Sequence, residues 1–239
     1  MSHVNEPQNL LADFGGVAPI FPLPELAFFP HVLLPLHIFE PRYREMTTDA
    51  LAGDRLIGMA TLKPDWETCE DPSRPCIYDH LCLGRVTAEE RLPDGRFYLI
   101  LQGLSRARVV EEVDSEKPYR LGRLELLPDH AVESAIEDDR AERVEMLLTQ
   151  FEALFPKVDI GRVSKLRGED PRILGIVCDV LAAAGRLAGN VSQKMLATPD
   201  VDARAGILLD HFGRLIRKRS GKPAKAATTA KFPPDFSLN

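Results

Sequence analysis

Leu81-Cys82-Leu83-Gly84-Arg85-Val86-Thr87-Ala88-Glu89-Glu90-Arg91-Leu92, followed by Pro93-Asp94-Gly95 and Arg96-Phe97-Tyr98-Leu99-Ile100-Leu101, reads as a β-hairpin. Its flanks read as strands, and the Asp94-Gly95 pair favours the positive φ that a tight hairpin turn requires. Downstream, Gly103 reads as the end of the returning strand. Ala107-Arg108-Val109-Val110 and Tyr119 to Leu127 read as further β segments. Upstream, Leu56 to Leu62 reads as a strand. Ile20-Phe21-Pro22-Leu23-Pro24 and Val32-Leu33-Leu34-Pro35-Leu36 are apolar runs broken by proline. Proline cannot donate to a sheet ladder, so both are expected as short, edge-like strands. Pro41 suits the first position of a helix running to about Ala52, ended by Gly53-Asp54. Residues 63 to 78 hold three prolines, two cysteines and the sole tryptophan, and read as a long loop.

Beyond 134 the apolar period changes to that of a helix. Ser134-Ala135-Ile136-Glu137 has capping-box spacing. Val144, Leu147, Leu148, Phe151, Leu154 and Phe155 then form one apolar face, stopped by Pro156. Asp170-Pro171 reads as an N-cap followed by proline at the first helical position. The segment from there to Leu187 is apolar nearly all round and is expected as the most buried helix. Gly185 and Gly189 read as fraying at its end. Thr198-Pro199 repeats the start signal, and Val201, Ala205, Leu208, Phe212 and Leu215 mark the stripe of a last helix. The expected organisation is a β-rich region over 18–128, a helical region over 134–219 and a disordered basic tail over 220–239. Between the first two helices of the second region, 156–170 is a long loop.

Composition sets outer limits. The chain has 239 residues, 44% hydrophobic and 28% charged, which is the profile of an ordinary globular protein. Its formal net charge of −6 does not point to nucleic acid. From His211 to Pro234 there are seven Lys or Arg and no Asp or Glu, so the remainder carries −13. The cationic end is read as a solvated helix terminus suited to the helix dipole, in preference to a phosphate-binding tail. Met1 to Leu11 lacks a cationic-then-apolar leader pattern. The longest apolar stretch, Ile173 to Ala184, is interrupted by Asp179 and falls short of the ~20 residues a bilayer requires. A cytoplasmic protein with reduced thiols and no membrane contact is the expectation.

Catalytic signatures are missing. The sequence holds no G-x-x-x-x-G-K-[ST], no G-x-G-x-x-G, no H-E-x-x-H and no G-x-S-x-G, and no serine precedes a lysine by three. Cys69, Cys76, Cys82 and His80 form the one metal candidate. Their six- and five-residue cysteine gaps depart from the tight C-x₂₋₄-C pairs of zinc sites. The preferred reading places Cys82 in a buried strand and leaves the other two as loop thiols, so neither metal nor other cofactor is expected. Glu89-Glu90 and Glu111-Glu112 fall on strands, where adjacent side chains diverge and a paired-carboxylate site does not form.

Two apolar clusters stand out as contact candidates. Phe28-Phe29-Pro30 lies in a proline-bounded loop, and Pro64 and Trp66 lie in the 63–78 loop. Exposed aromatics of this kind grip apolar peptide. The competing reading packs at least one of Phe28 and Phe29 into the core.

The segment Phe21-Pro22-Leu23-Pro24-Glu25-Leu26-Ala27-Phe28-Phe29-Pro30, continued by Leu33-Leu34-Pro35-Leu36-His37-Ile38-Phe39-Glu40-Pro41-Arg42-Tyr43, resembles the opening of the N-terminal, substrate-binding domain of Lon proteases. Small stand-alone bacterial members of that family are especially similar. Ile57-Gly58-Met59-Ala60, Leu83-Gly84-Arg85-Val86, Gly103-Leu104-Ser105-Arg106, Gln193-Lys194-Met195-Leu196 and Asp200-Val201-Asp202-Ala203-Arg204 follow in the family's order. The resemblance implies an α+β fold, a PUA-like β pseudo-barrel followed by a C-terminal α-helical bundle. It also implies a non-catalytic protein-interaction module that binds unfolded or damaged polypeptide or a protease partner. An RNA-binding PUA-like protein and a metal-dependent peptidase stand as alternatives.

Overall fold

The structure is a computed structural model that describes residues 11–69, 71, 74–131, 139–187 and 189–220. The Ser134 capping box and the tail beyond 220 lie outside the described residues. The chain divides into two compact units, Met1–Pro128 and Asp129–Asn239. The first carries a mixed sheet and one α-helix. The second is helical.

Strands β1 (Val17–Leu23), β2 (Leu33–Ile38), β3 (Leu56–Thr61), β4 (His80–Arg91), β5 (Phe97–Val113) and β6 (Arg120–Leu127) form the sheet, with α1 (Pro41–Ala52) between β2 and β3. The strand order is β2-β5-β4-β3-β1-β6, and β6 pairs with β5 as well as β1. The ladder β1–β3–β4–β5–β6 therefore returns on itself, while among the described residues β2 is attached to β5 alone. Ile20, Leu56, Ala60, Leu81, Leu83, Ala107 and Leu124 fill the space it encloses.

Two strand expectations need correction. β1 is flanked on both sides, although it carries Pro19 and Pro22. It escapes the proline penalty by stagger: β6 pairs with 17–20 and β3 with 20–23, so each half is open on one flank. Likewise Gly103 does not end β5, which runs on to Val113. The ladder slips at that glycine, with Gly84 opposite Gly103 but Leu83 opposite Ser105, so the chain absorbs one extra residue as a bulge. The hairpin turn has the expected form, with Gly95 at φ 83° and its N–H donating to the Leu92 carbonyl at 2.9 Å.

In the second unit, α2 (Arg140–Leu154), α3 (Pro171–Ala184) and α5 (Val201–Ser220) pack on one another, and α4 (Gly189–Ala197) packs on α5. Asp170 caps α3 by accepting the Arg172 N–H at 2.8 Å, with Pro171 at the first position. Gly185 and Gly189 mark the break between α3 and the short helix α4, not a frayed end. α5 is started by Asp200, whose carboxylate accepts from the Asp202 N–H at 2.9 Å, two residues later than the Thr198 signal. Among the described residues no helix is long and apolar enough to cross a membrane.

Candidate functional site

The β2 strand is apolar on both faces. Leu34, Leu36 and Ile38 are buried in the core, while Leu33, Pro35 and His37 point outward. Register places Leu33 opposite Gln102, Pro35 opposite Ile100 and His37 opposite Tyr98 on β5, so these side chains share the outer face. Phe39 extends the face just past the end of β2. Among the described residues five large apolar side chains are exposed, and three of them sit here: Leu33 at 57%, Tyr98 at 49% and Phe39 at 40%. His37 stacks on Tyr98 with ring centroids 4.8 Å apart and lies 5.8 Å from Phe39. Rings that brace one another hold this surface in shape before any partner arrives. A contiguous apolar patch of this kind on a charged surface is the usual mark of an interaction site.

The contact residues expected from sequence are distributed differently. Phe28 and Phe29 are 2% and 1% exposed and belong to the interior, which removes them as a contact surface. Their loop folds down onto the sheet, and the glycines beneath it make the room. A Cβ on Gly84 would meet the Phe28 ring at 2.9 Å, and one on Gly103 would meet the Phe29 carbonyl oxygen at 2.1 Å. Pro64 is exposed. Trp66 is half-buried, with its indole packed partly against the core.

Cys69 and Cys76 are joined by a disulfide, contrary to the expectation of reduced thiols. The candidate metal set is accordingly dispersed. Two of its sulfurs are bonded to each other, and Cys82 is buried in β4 with its thiol 3.6 Å from the Leu83 carbonyl. Burial holds the His80 imidazole below its ordinary pKa. Three of the four doublet acids pair with arginines: Glu89 with Arg55, Glu111 with Arg123 and Glu112 with Arg120. A recess by the β4–β5 turn is lined by Arg44, Glu45, Thr48, Arg91 and Gly95. It carries charges of both signs.

One polar network escaped the sequence reading. Arg204, fully buried at the start of α5, donates to Asp129 Oδ1 at 2.8 Å and to the Thr198 and Pro199 carbonyls at 3.0 and 3.1 Å. Its Nε lies 3.7 Å from the buried Asp179 of α3. Two residues earlier, Asp202 takes a two-pronged contact from Arg140 of α2, with Nη2 at 2.8 Å. The available signal was the Asp200, Asp202, Arg204 spacing at a helix start, where three charged residues serve as cap, clamp and buried pair. At the other end of α5, Arg219 donates to the Leu154 carbonyl at 2.7 Å and satisfies the end of α2.

Residues 17–213 match the ATP-dependent protease La (LON) substrate-binding domain. The chain is 31% identical over 202 residues to the Lon protease of Dictyoglomus thermophilum, covering 82% of this chain and 24% of that protein. It is 28% identical over 203 residues to Lon protease 2 of Myxococcus xanthus, covering 84% of this chain and 24% of that protein. The chain thus spans about a quarter of the length of these relatives. Among solved structures, the N-terminal domain of a Mycobacterium avium complex Lon protease superposes with a TM-score of 0.62 at 18% identity, covering 82% of this chain and 98% of that one. The Lon N-terminal domain protein of Xanthomonas campestris superposes with a TM-score of 0.54 at 17% identity, covering 81% and 97%. The chain belongs to the family of the ATP-dependent protease La (LON) substrate-binding domain.

Proposed function

We propose that this chain is a non-catalytic polypeptide-binding module that captures unfolded or damaged protein through the outer face of β2 and β5. In this reading the closed ladder is a PUA-like pseudo-barrel and the second unit an α-helical bundle that accompanies it. A protease partner would receive what the module holds. The observation that carries the proposal is the cluster of exposed Leu33, Phe39 and Tyr98, its two rings braced by the half-buried His37, in a chain that matches a substrate-binding domain. Unfolded chains differ from folded ones chiefly in displaying apolar side chains and unpaired backbone, and an aromatic face answers the first of these. Pro64 and Trp66 supply a second, smaller contact on the same unit. The module works without a cofactor and in the cytoplasm, where the Cys69–Cys76 bond would be an exception to the usual reduced state.

The test is capture of a chemically unfolded, thiol-blocked protein by immobilised module. Tyr98→Ser with Phe39→Ser is expected to lower capture roughly tenfold, the usual consequence of truncating two aromatic anchors. Both side chains face solvent, so the melting temperature should hold. Trp66→Ala is expected to lower capture less. Equal capture by wild type and the double variant would refute the site.

A further inference from the structure

We infer that the occupant of this face is an extended peptide that adds to the sheet as a further strand beside β2. The inference rests on the polypeptide-binding reading and specifies how the chain is held. The evidence is the direction of the β2 backbone. The Gly103 N–H donates to the Val32 carbonyl at 2.9 Å, which fixes the parity of the ladder. Backbone polar groups alternate sides along a strand, so Leu34, Leu36 and Ile38 direct theirs to β5, and Leu33, Pro35 and His37 direct theirs to the free edge. β2 is terminal in the sheet, and among the described residues no other strand pairs with that side. Pro35 falls on the outward parity, where its missing N–H breaks no bond to β5.

An edge of this kind asks for a definite complement. It offers two donors, the N–H groups of Leu33 and His37, and three acceptors, the carbonyls of Leu33, Pro35 and His37. Only another extended backbone matches that alternation over six residues. Proteins commonly guard such edges with lysine, proline, a bulge or a covering segment. β2 carries one such guard, Pro35, which removes the middle outward N–H and leaves the carbonyls and the two flanking donors available; it has no lysine, and its outward side chains are Leu33, Pro35 and His37, continued by Ile100 and Tyr98 on β5. An added strand would place every second side chain about 5 Å from that row, favouring apolar residues at alternate positions. Backbone bonds supply affinity without reading side chains, and the apolar row supplies a loose preference. That combination suits a receptor for many unfolded sequences.

Backbone N-methylation separates this mode from simple apolar contact. The probe is a fluorescein-labelled peptide of about seven residues with valine at alternate positions, long enough to span β2. Two twins carry N-methyl groups on the odd or on the even backbone nitrogens. The full chain is expected to bind the unmodified peptide and one twin within about twofold, and the other twin roughly tenfold more weakly, because only one set of N–H groups faces the edge. Leu33→Lys, which guards the edge from an exposed position, should weaken the unmodified peptide to a similar degree while leaving the melting temperature unchanged. Equal binding of all three peptides overturns strand addition and leaves the apolar-face reading standing. Binding of none overturns both.

Discussion

Arg204 shows how a single side chain organises the helical unit. It is fully buried, and its guanidinium lies between Asp129, two backbone carbonyls and the buried Asp179. Replacing it with methionine keeps most of the bulk but strands Asp179 without that cation. Breaking a buried pair from one side typically costs about 3–5 kcal/mol, whereas an exposed pair is worth about 1 or less. Arg204→Met is therefore expected to lose several times more stability in urea titration than Arg172→Met, whose partner Asp170 lies at the surface. Similar losses for both would contradict the role assigned to Arg204. Phe28 and Phe29 teach a different lesson at this scale. Two aromatics between prolines look like surface bait, and only Gly84 and Gly103, far off in sequence, reveal that the loop can lie flat on the sheet.

At the scale of elements, α1 is tied to the approach to β6 by one carboxylate. Asp49 accepts from Lys117 Nζ at 2.7 Å and from the Tyr119 hydroxyl at 2.6 Å. The Lys117 hydrogen bond first, and the Tyr119 hydroxyl second, hold the Asp49 carboxyl below its ordinary pKa. A depressed carboxylate adds stability above its unfolded pKa, and the contribution is lost as pH falls through the folded value. Asp49→Asn should therefore unfold at lower urea than wild type at pH 7, and the two curves should converge below roughly pH 4. A gap that is constant with pH would show that the tie is not electrostatic. Much at this scale was legible: the Asp94-Gly95 turn, Pro41 opening α1 and Asp170-Pro171 opening α3 are local signals read by local physics. What was not legible depends on partners. Pro22 in β1 looks like an edge until the stagger of β3 and β6 is known. Gly103 looks like a stop until Phe29 is seen above it and the Val32 carbonyl beside it. The exposed face was partly readable, since Leu33, Leu34, Pro35 and Leu36 put apolar groups on both sides of one strand. A strand with one wet face normally alternates, so that departure marks the site.

For the molecule as a whole, a substrate-binding family match, a closed β ladder with one terminal strand and an aromatic face beside that strand converge on one account. In the proposed account the face recognises what unfolding exposes, and the edge recognises backbone. The most direct test is amide hydrogen exchange of the full chain, alone and with an excess of unfolded, thiol-blocked protein. Leu33 and His37 carry the only outward N–H groups of β2, since Pro35 has none. Their amides should exchange fast in the free chain and slow markedly on binding, while Leu34, Leu36 and Ile38, already bonded to β5, should change little. Protection that appears elsewhere and leaves Leu33 and His37 exchanging as before would contradict the account.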